Sequence, residues 1–208
     1  MKAQTKESQS ALSHENILQI LKEGNERFVN SQSLNRSLQQ QVEETSTGQF
    51  PFAAVLSCID SRVPVETVFD QGIGDLFSIR IAGNFVNDDI LGSMEFACKL
   101  AGSKVILVLG HTSCGAVKGA CDHAELGLLT GLLDKIKPAV NAVKEPADEA
   151  LRNSKNREFV DEVAAKNVSL TLEDIRTRSE VLAEMERNNE IMLVGAMYDV
   201  GSGQVTFY

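Results

Sequence analysis

The 208-residue chain contains no run of about 18 apolar residues, so no membrane-spanning helix is expected. Its first residues, Met1-Lys2-Ala3-Gln4-Thr5-Lys6-Glu7, are polar and lack the apolar core of a secretory signal, which points to a cytoplasmic protein. Positive charge is scarce. Lys and Arg number 20 against 29 Asp and Glu, and the net charge of −9 repels polyanions, which disfavours nucleic-acid binding. There is no Cys-x-x-Cys pair, which counts against a thiol redox protein. Only four cysteines occur, Cys58, Cys98, Cys114 and Cys121, and a chain of this size needs no disulfide framework from them. Internal repeats and a second domain boundary are also missing.

What is present is ordinary for one globular domain: 43% hydrophobic and 24% charged residues. Such a chain should bury roughly 70% of its unfolded surface. Residues 1–12 read as a polar, disordered tail, and 13–208 as one domain whose first part, 13–48, is a helix followed by an arm. Ser13 is a good N-cap, and Ile17, Ile20, Leu21 and Phe28 recur at helical spacing after it. The segment 30–48 is rich in Gln, Ser, Asn and Thr and should be irregular. Strands are predicted at 52–56, 75–80, 105–109, 191–197 and 204–207. Between them lie helices over 65–69, from Asp88 or Asp89 to Lys99, from Gly115, over 128–143 with a division at Pro138, over 148–167, and over 172–187 with Thr171 as cap. Gly201-Ser202-Gly203 suits a hairpin-like return. This alternation predicts an α/β fold with a mainly parallel central sheet flanked by helices and an antiparallel edge strand near the C-terminus.

Two motifs follow apolar strands. Cys58-Ile59-Asp60-Ser61-Arg62 comes after 52–56, and His111-Thr112-Ser113-Cys114 after 105–109. In an open α/β sheet the residues just past the strand ends line the ligand crevice, so motifs 111 − 58 = 53 positions apart can meet. Together they offer two thiolates and one imidazole, a three-ligand set for a catalytic zinc with the fourth position open. A lone His-x-x-Cys is equally what buried free thiols look like. Asp60 and Arg62 can pair with each other beside the first ligand. Cys98 and Cys121 read as buried or half-buried free thiols. His14 reads as solvated, and His123 as exposed and uninvolved.

Cys58-Ile59-Asp60-Ser61-Arg62-Val63-Pro64, then Arg80-Ile81-Ala82-Gly83-Asn84, then Gly110 to Ala116, closely resemble the β-class carbonic anhydrases in order and spacing. The resemblance runs from about residue 15 to the C-terminus, with Tyr198-Asp199-Val200, Gly203 and Val205 resembling the family's terminal strand pair. It implies one Zn2+ per chain on Cys58, His111 and Cys114, and reversible hydration of carbon dioxide to bicarbonate and a proton. Zinc lowers the pKa of a bound water toward neutrality and so supplies hydroxide near pH 7. Asp60 is the natural acceptor for that hydroxide's hydrogen, and a bidentate Arg62 would keep Asp60 ionised and off the metal. Gln49 and Phe77 match the plant-like subset's substrate pocket across a dimer interface. Phe96 stands where that subset has a Tyr, and Val63 and Gly115 are placed in the same pocket. Val55 stands where the other subset has the Trp of an inhibitory bicarbonate pocket; Arg80 occurs in both. The resemblance also implies a homo-oligomer, a dimer or a tetramer of dimers, with the N-terminal segment wrapped around the partner. Two other readings remain: hydrolysis of carbon disulfide or carbonyl sulfide on the same scaffold, and a non-enzymatic zinc- or bicarbonate-binding protein. Asp60 and Arg62 argue against the second, because a structural site prefers a fourth protein ligand.

Overall fold

Five short segments form one sheet in the order β2-β1-β3-β4-β5, in a computed structural model that describes residues 2–208. They are β1 (Ala53–Ser57), β2 (Leu76–Arg80), β3 (Val105–His111), β4 (Met192–Tyr198) and β5 (Val205–Phe207). The first four are parallel and β5 is antiparallel to β4. β1 and β3 are buried along their whole length, which is why they read as unbroken apolar runs rather than alternating ones.

The period of two assigns their side chains to two layers. Val55, Leu107 and Leu109 pack with Ile17 and Leu21 of α2 (His14–Val29) and with Val65 and Val68 of α4 (Val65–Val68). Ala54, Leu56, Ile106 and Val108 pack on the other face. Their partners there are Leu91 and Met94 of α5 (Asp88–Glu95), Val168 and Ile175 of α9 (Arg157–Arg178), and Leu182 of α10 (Glu180–Arg187). A third cluster gathers at the carboxyl ends of the strands. There Cys58 and Cys114 join Val117 of α6 (Gly115–Cys121), Leu133 of α7 (Gly127–Asp134), Ala139 of α8 (Lys137–Ala142) and Phe159 of α9. α2 reaches α4 only because residue 24 is glycine: a Cβ there would lie 1.8 Å from the Phe69 carbonyl oxygen.

The predicted strands and the α/β class agree with this architecture, and Ser13 caps α2 with a capping box. Several expectations are corrected. The tail expected to be disordered forms α1 (Lys6–Ala11), capped by Thr5. Buried Gln9 anchors it by donating to the Pro51 and Ala101 carbonyls, both at 2.8 Å. Met1 lies outside the described residues. The arm is not wholly irregular, since it contains α3 (Leu38–Thr45) with Ser37 as N-cap. The cap of α5 is Asn87, whose side chain accepts from the Ile90 N–H, and a π-helical turn over Phe96–Leu100 extends the helix.

The two helices expected at 148–167 and 172–187 are divided elsewhere. α9 runs unbroken over Arg157–Arg178, and α10 starts after Ser179. Residues ahead of α9 turn back because Arg152 donates to the Val140 and Val143 carbonyls and lies over the Phe159 ring. His14 is buried rather than solvated, its Nε2 3.3 Å from the Glu190 carbonyl. Cys98 and Cys121 are buried free thiols, and burial pushes them up to about 12 and about 11. His123 is exposed, as expected.

Candidate metal centre

Parallel pairing closes the gap between the two motifs. Ser57, the last residue of β1, is in register with Leu109 of β3, so Cys58 emerges beside Gly110 and His111. Cys58, His111 and Cys114 converge, each offering one ligand atom, and these three atoms lie within 4.8 Å of one another. All three residues are buried, and the two sulfurs are 3.9 Å apart. The cluster is able to hold a metal ion.

The chemistry of the donors fits zinc. His111 Nδ1 lies 3.0 Å from the Thr112 carbonyl oxygen, to which only a protonated nitrogen can donate. That leaves Nε2 with a free lone pair, and Nε2 is buried with no hydrogen-bond partner. An orphaned imidazole nitrogen facing two thiols is costly unless a cation fills the space between them. One of the two thiols already carries charge. Hydrogen bonding from Cys114 leads the effects that hold Cys58 at about 4; against burial, His111 and the Gly83 N–H pull the same way. Cys114, the donor in that pair, is pushed up. A soft divalent ion would displace the proton the two sulfurs share.

Beside the cluster, Asp60 and Arg62 form a bidentate pair: Nε to Oδ1 at 2.9 Å and Nη2 to Oδ2 at 2.7 Å. The Arg62 backbone N–H adds a third bond to Oδ1 at 3.0 Å. The guanidinium holds the Asp60 carboxyl well below the usual carboxylate range. Asp60 Oδ2 lies 4.0 Å from His111 Nε2, close to the cluster yet turned to Arg62. Arg80 fixes the strand end itself by donating to the Cys58 carbonyl at 3.0 Å and the Asp60 carbonyl at 2.6 Å.

A family model described as Carbonic anhydrase matches residues 53–205. The chain belongs to the carbonic anhydrase family. Carbonic anhydrase 2 of Mycobacterium tuberculosis is 36% identical over 187 residues, covering 88% of this chain and 87% of that protein. A carbonic anhydrase of Mycolicibacterium smegmatis is 35% identical over 193 residues, covering 89% and 88%. Among solved structures, the β-carbonic anhydrase CafA of Aspergillus fumigatus superposes with a TM-score of 0.72 at 28% identity, covering 82% of this chain and 81% of that one. As a β-class carbonic anhydrase the chain catalyses reversible hydration of carbon dioxide to bicarbonate and a proton, with zinc as cofactor. Relatives that cover 88% and 89% of the chain are carbonic anhydrases and do not favour the carbon disulfide or carbonyl sulfide alternative.

Around the carbonic anhydrase cluster, a pocket of about 280 Å³ is lined by Cys58, Asp60 and Gly115 together with apolar groups of Ile59, Ala82, Leu129 and Leu133. Gly115 thus lines the pocket beside the cluster. Val63 is fully buried in the core, and its N–H donates to the Asp60 carbonyl at 3.0 Å. Gln49, Phe77 and Phe96 lie apart from their own chain's cluster. Gln49 precedes β1, whose five residues put about 16 Å between its ends. Phe77 and Phe96 touch edge to face at 6.2 Å and line a separate groove. Sequence reasoning gave Gly83 no role of its own at the site. Its φ of +79° aims its N–H at Cys58 Sγ, 3.4 Å away. The signal was its place in Arg80-Ile81-Ala82-Gly83-Asn84.

Proposed function

We propose that Cys58, His111 and Cys114 hold the zinc, and that Asp60, fixed by Arg62, is the group that directs the hydration. When bound, zinc lowers the pKa of a water toward neutrality and so provides the nucleophile for carbon dioxide. Asp60 is ionised and acceptor-only, so it would accept a hydrogen bond from a water held at the cluster and orient that water toward the substrate. Arg62 engages both carboxylate oxygens and keeps Asp60 from closing onto the three ligands. The apolar wall of Ile59, Ala82, Leu129 and Leu133 suits a small, neutral, linear molecule such as carbon dioxide. The observation that carries this reading is the orphaned His111 Nε2 facing two thiols, with a carboxylate held back beside it. Zinc analysis and stopped-flow carbon dioxide hydration on one sample test it: about one zinc per chain and rapid hydration are expected, and a metal-free, active protein would overturn it.

The finer assignments belong to the same proposal. The working unit is at least a homodimer, dimer or tetramer of dimers, in which Gln49, Phe77 and Phe96 of one protomer serve the neighbour's zinc. Their separation from their own cluster supports this, as does the exposure of Phe96 and Leu100, 50% and 76%. The site is of the open, plant-like kind, with Asp60 on Arg62 rather than on the metal. Val55, fully buried in β1, leaves no Trp to wall a bicarbonate pocket, and Arg80 is engaged with the Cys58 and Asp60 carbonyls. Four unpaired buried thiols accord with a cytoplasmic setting. Among the described residues no helix is long and apolar enough to cross a membrane.

A further inference from the structure

Only Thr112 and Ser113 separate His111 from Cys114, and each is tied to a different element. Thr112 is held by the end of β4. Its N–H donates to the Tyr198 carbonyl at 2.9 Å, and its hydroxyl accepts from the Val200 N–H at 3.1 Å and donates to Asp199 Oδ2 at 3.4 Å. Ser113 is held by α9, its N–H donating to Asp161 Oδ1 at 2.7 Å. Ser113 has a φ of +55°, a backbone region uncommon for a residue with a side chain. Its carbonyl lies 3.5 Å from Arg62 Nη2.

The Thr112 carbonyl and the Ser113 N–H belong to one planar peptide group. His111 Nδ1–H donates to the oxygen of that group at 3.0 Å, while Asp161 accepts from its N–H. Carboxylate, peptide and imidazole thus form one hydrogen-bonded line that ends at His111 Nε2, the atom facing the cluster. We infer that Asp161 is a positioning residue for the metal centre, orienting His111 through this peptide and strengthening its Nε2 as a ligand. An anion accepting from the N–H polarises the amide and makes its carbonyl a stronger acceptor, since bonds in a chain reinforce one another. Partners of that kind behind a ligating histidine fix its tautomer and strengthen it as a ligand. The Asp161 side chain is only 22% exposed, so water screens it incompletely, and Arg157 Nε steadies its second oxygen at 3.3 Å.

The inference rests on zinc binding at Cys58, His111 and Cys114, and the test separates the two. Asp161→Asn is close to isosteric and can still accept from Ser113, but it removes the charge; Asp161→Ala removes both. Zinc affinity is measured by competition with a chromophoric chelator, with the absorption spectrum of the Co2+-loaded protein as a second readout. Asp161→Asn should weaken zinc binding about tenfold and shift the Co2+ bands, and Asp161→Ala should weaken it by up to about a hundredfold. Arg157→Ala, at a side chain 67% exposed, leaves the Asp161 charge on the peptide and should bind zinc at least as tightly as the parent. Zinc affinity within twofold of the parent and an unchanged Co2+ spectrum for Asp161→Asn would overturn the inference alone. So would a tenfold loss in Arg157→Ala, which would make loop rigidity the cause. A parent that binds no zinc overturns the metal assignment and this inference with it.

Discussion

Removing the Arg62 guanidinium should separate activity from stability. Arg62 makes two side-chain bonds to Asp60, at 2.9 and 2.7 Å, but its own side chain is 49% exposed. An ion pair at that exposure contributes about 0–1 kcal/mol to folding, so Arg62→Ala should shift thermal unfolding by no more than a few degrees. Protonation does not explain any loss of activity at neutral pH. Without Arg62 the Asp60 pKa returns toward about 3.9, and the carboxylate stays ionised at pH 7. What changes is position. Oδ2 is already 4.0 Å from His111 Nε2, and a freed carboxylate can rotate into the space the three ligands face. The expected outcome is near-full zinc content with hydration slowed about 10²-fold or more, the scale for removing a group that positions a proton acceptor. That is about 2.7 kcal/mol on the barrier. Arg62→Lys should fall between, because a point charge cannot hold both oxygens in a fork. Stopped-flow hydration, zinc analysis and thermal unfolding on the same three proteins decide it. Activity of Arg62→Ala within a few-fold of the parent would refute the argument and make the pair structural.

Cys58→Ser or His111→Ala should strip the zinc and abolish hydration, as read by metal analysis after dialysis; either variant retaining both would remove that residue from the ligand set. Burial alone would raise the Asp70 carboxyl, but Arg27 at 2.6 Å, Arg36 at 2.5 Å and the Leu34 N–H together hold it below its ordinary value. Its contribution is therefore complete above the unfolded pKa of about 3.9 and disappears as pH falls through the lower folded pKa, so Asp70→Asn should cost about 3 kcal/mol in urea unfolding at pH 7 and progressively less as the pH is lowered below about 3.9. Gly24→Ala should destabilise by about 2 kcal/mol or more, since the added methyl meets the Phe69 backbone rather than a side chain that can move; an unchanged urea midpoint would contradict the packing of α2 on α4. Sedimentation should show a dimer or larger at assay concentration, and a fully active monomer would refute the shared site.

The strands and the ligand motifs were legible because each rests on a local signal. β1 and β3 are short apolar runs with covered faces, and Cys58 and His111 stand at their carboxyl ends. The N-terminal tail was not legible, because its order depends on distant partners: buried Gln9 bonds to carbonyls 42 and 92 positions away, and Lys104 donates to the Ser10 and Leu12 carbonyls. His14 failed for a related reason: its partner is 176 positions away in sequence. Val63 sits beside Asp60 in the motif, yet its side chain turns into the core, and proximity in sequence gave no direction for it.

Thr171 shows why α9 was misread, and what the helix is for. A threonine before an apolar run looks like an N-cap, but here it lies inside the helix, buried, with its hydroxyl 3.4 Å from the Asn84 carbonyl. One turn earlier, buried Asn167 donates to the Gly83 carbonyl at 2.8 Å. Gly83 in turn presents its N–H to Cys58 Sγ, and Asp161, near the start of the same helix, accepts from Ser113. A single helix therefore braces both loops that surround the cluster, the one after β2 and the one between His111 and Cys114. A break at Thr171, as first expected, would let the Gly83 and Ser113 anchors move independently. Polar residues at 161, 167 and 171 look like breakers of an apolar stripe in sequence, yet each meets a backbone group that burial would otherwise leave unpaired. Continuity of α9 thus follows from the site it supports as much as from helix propensity.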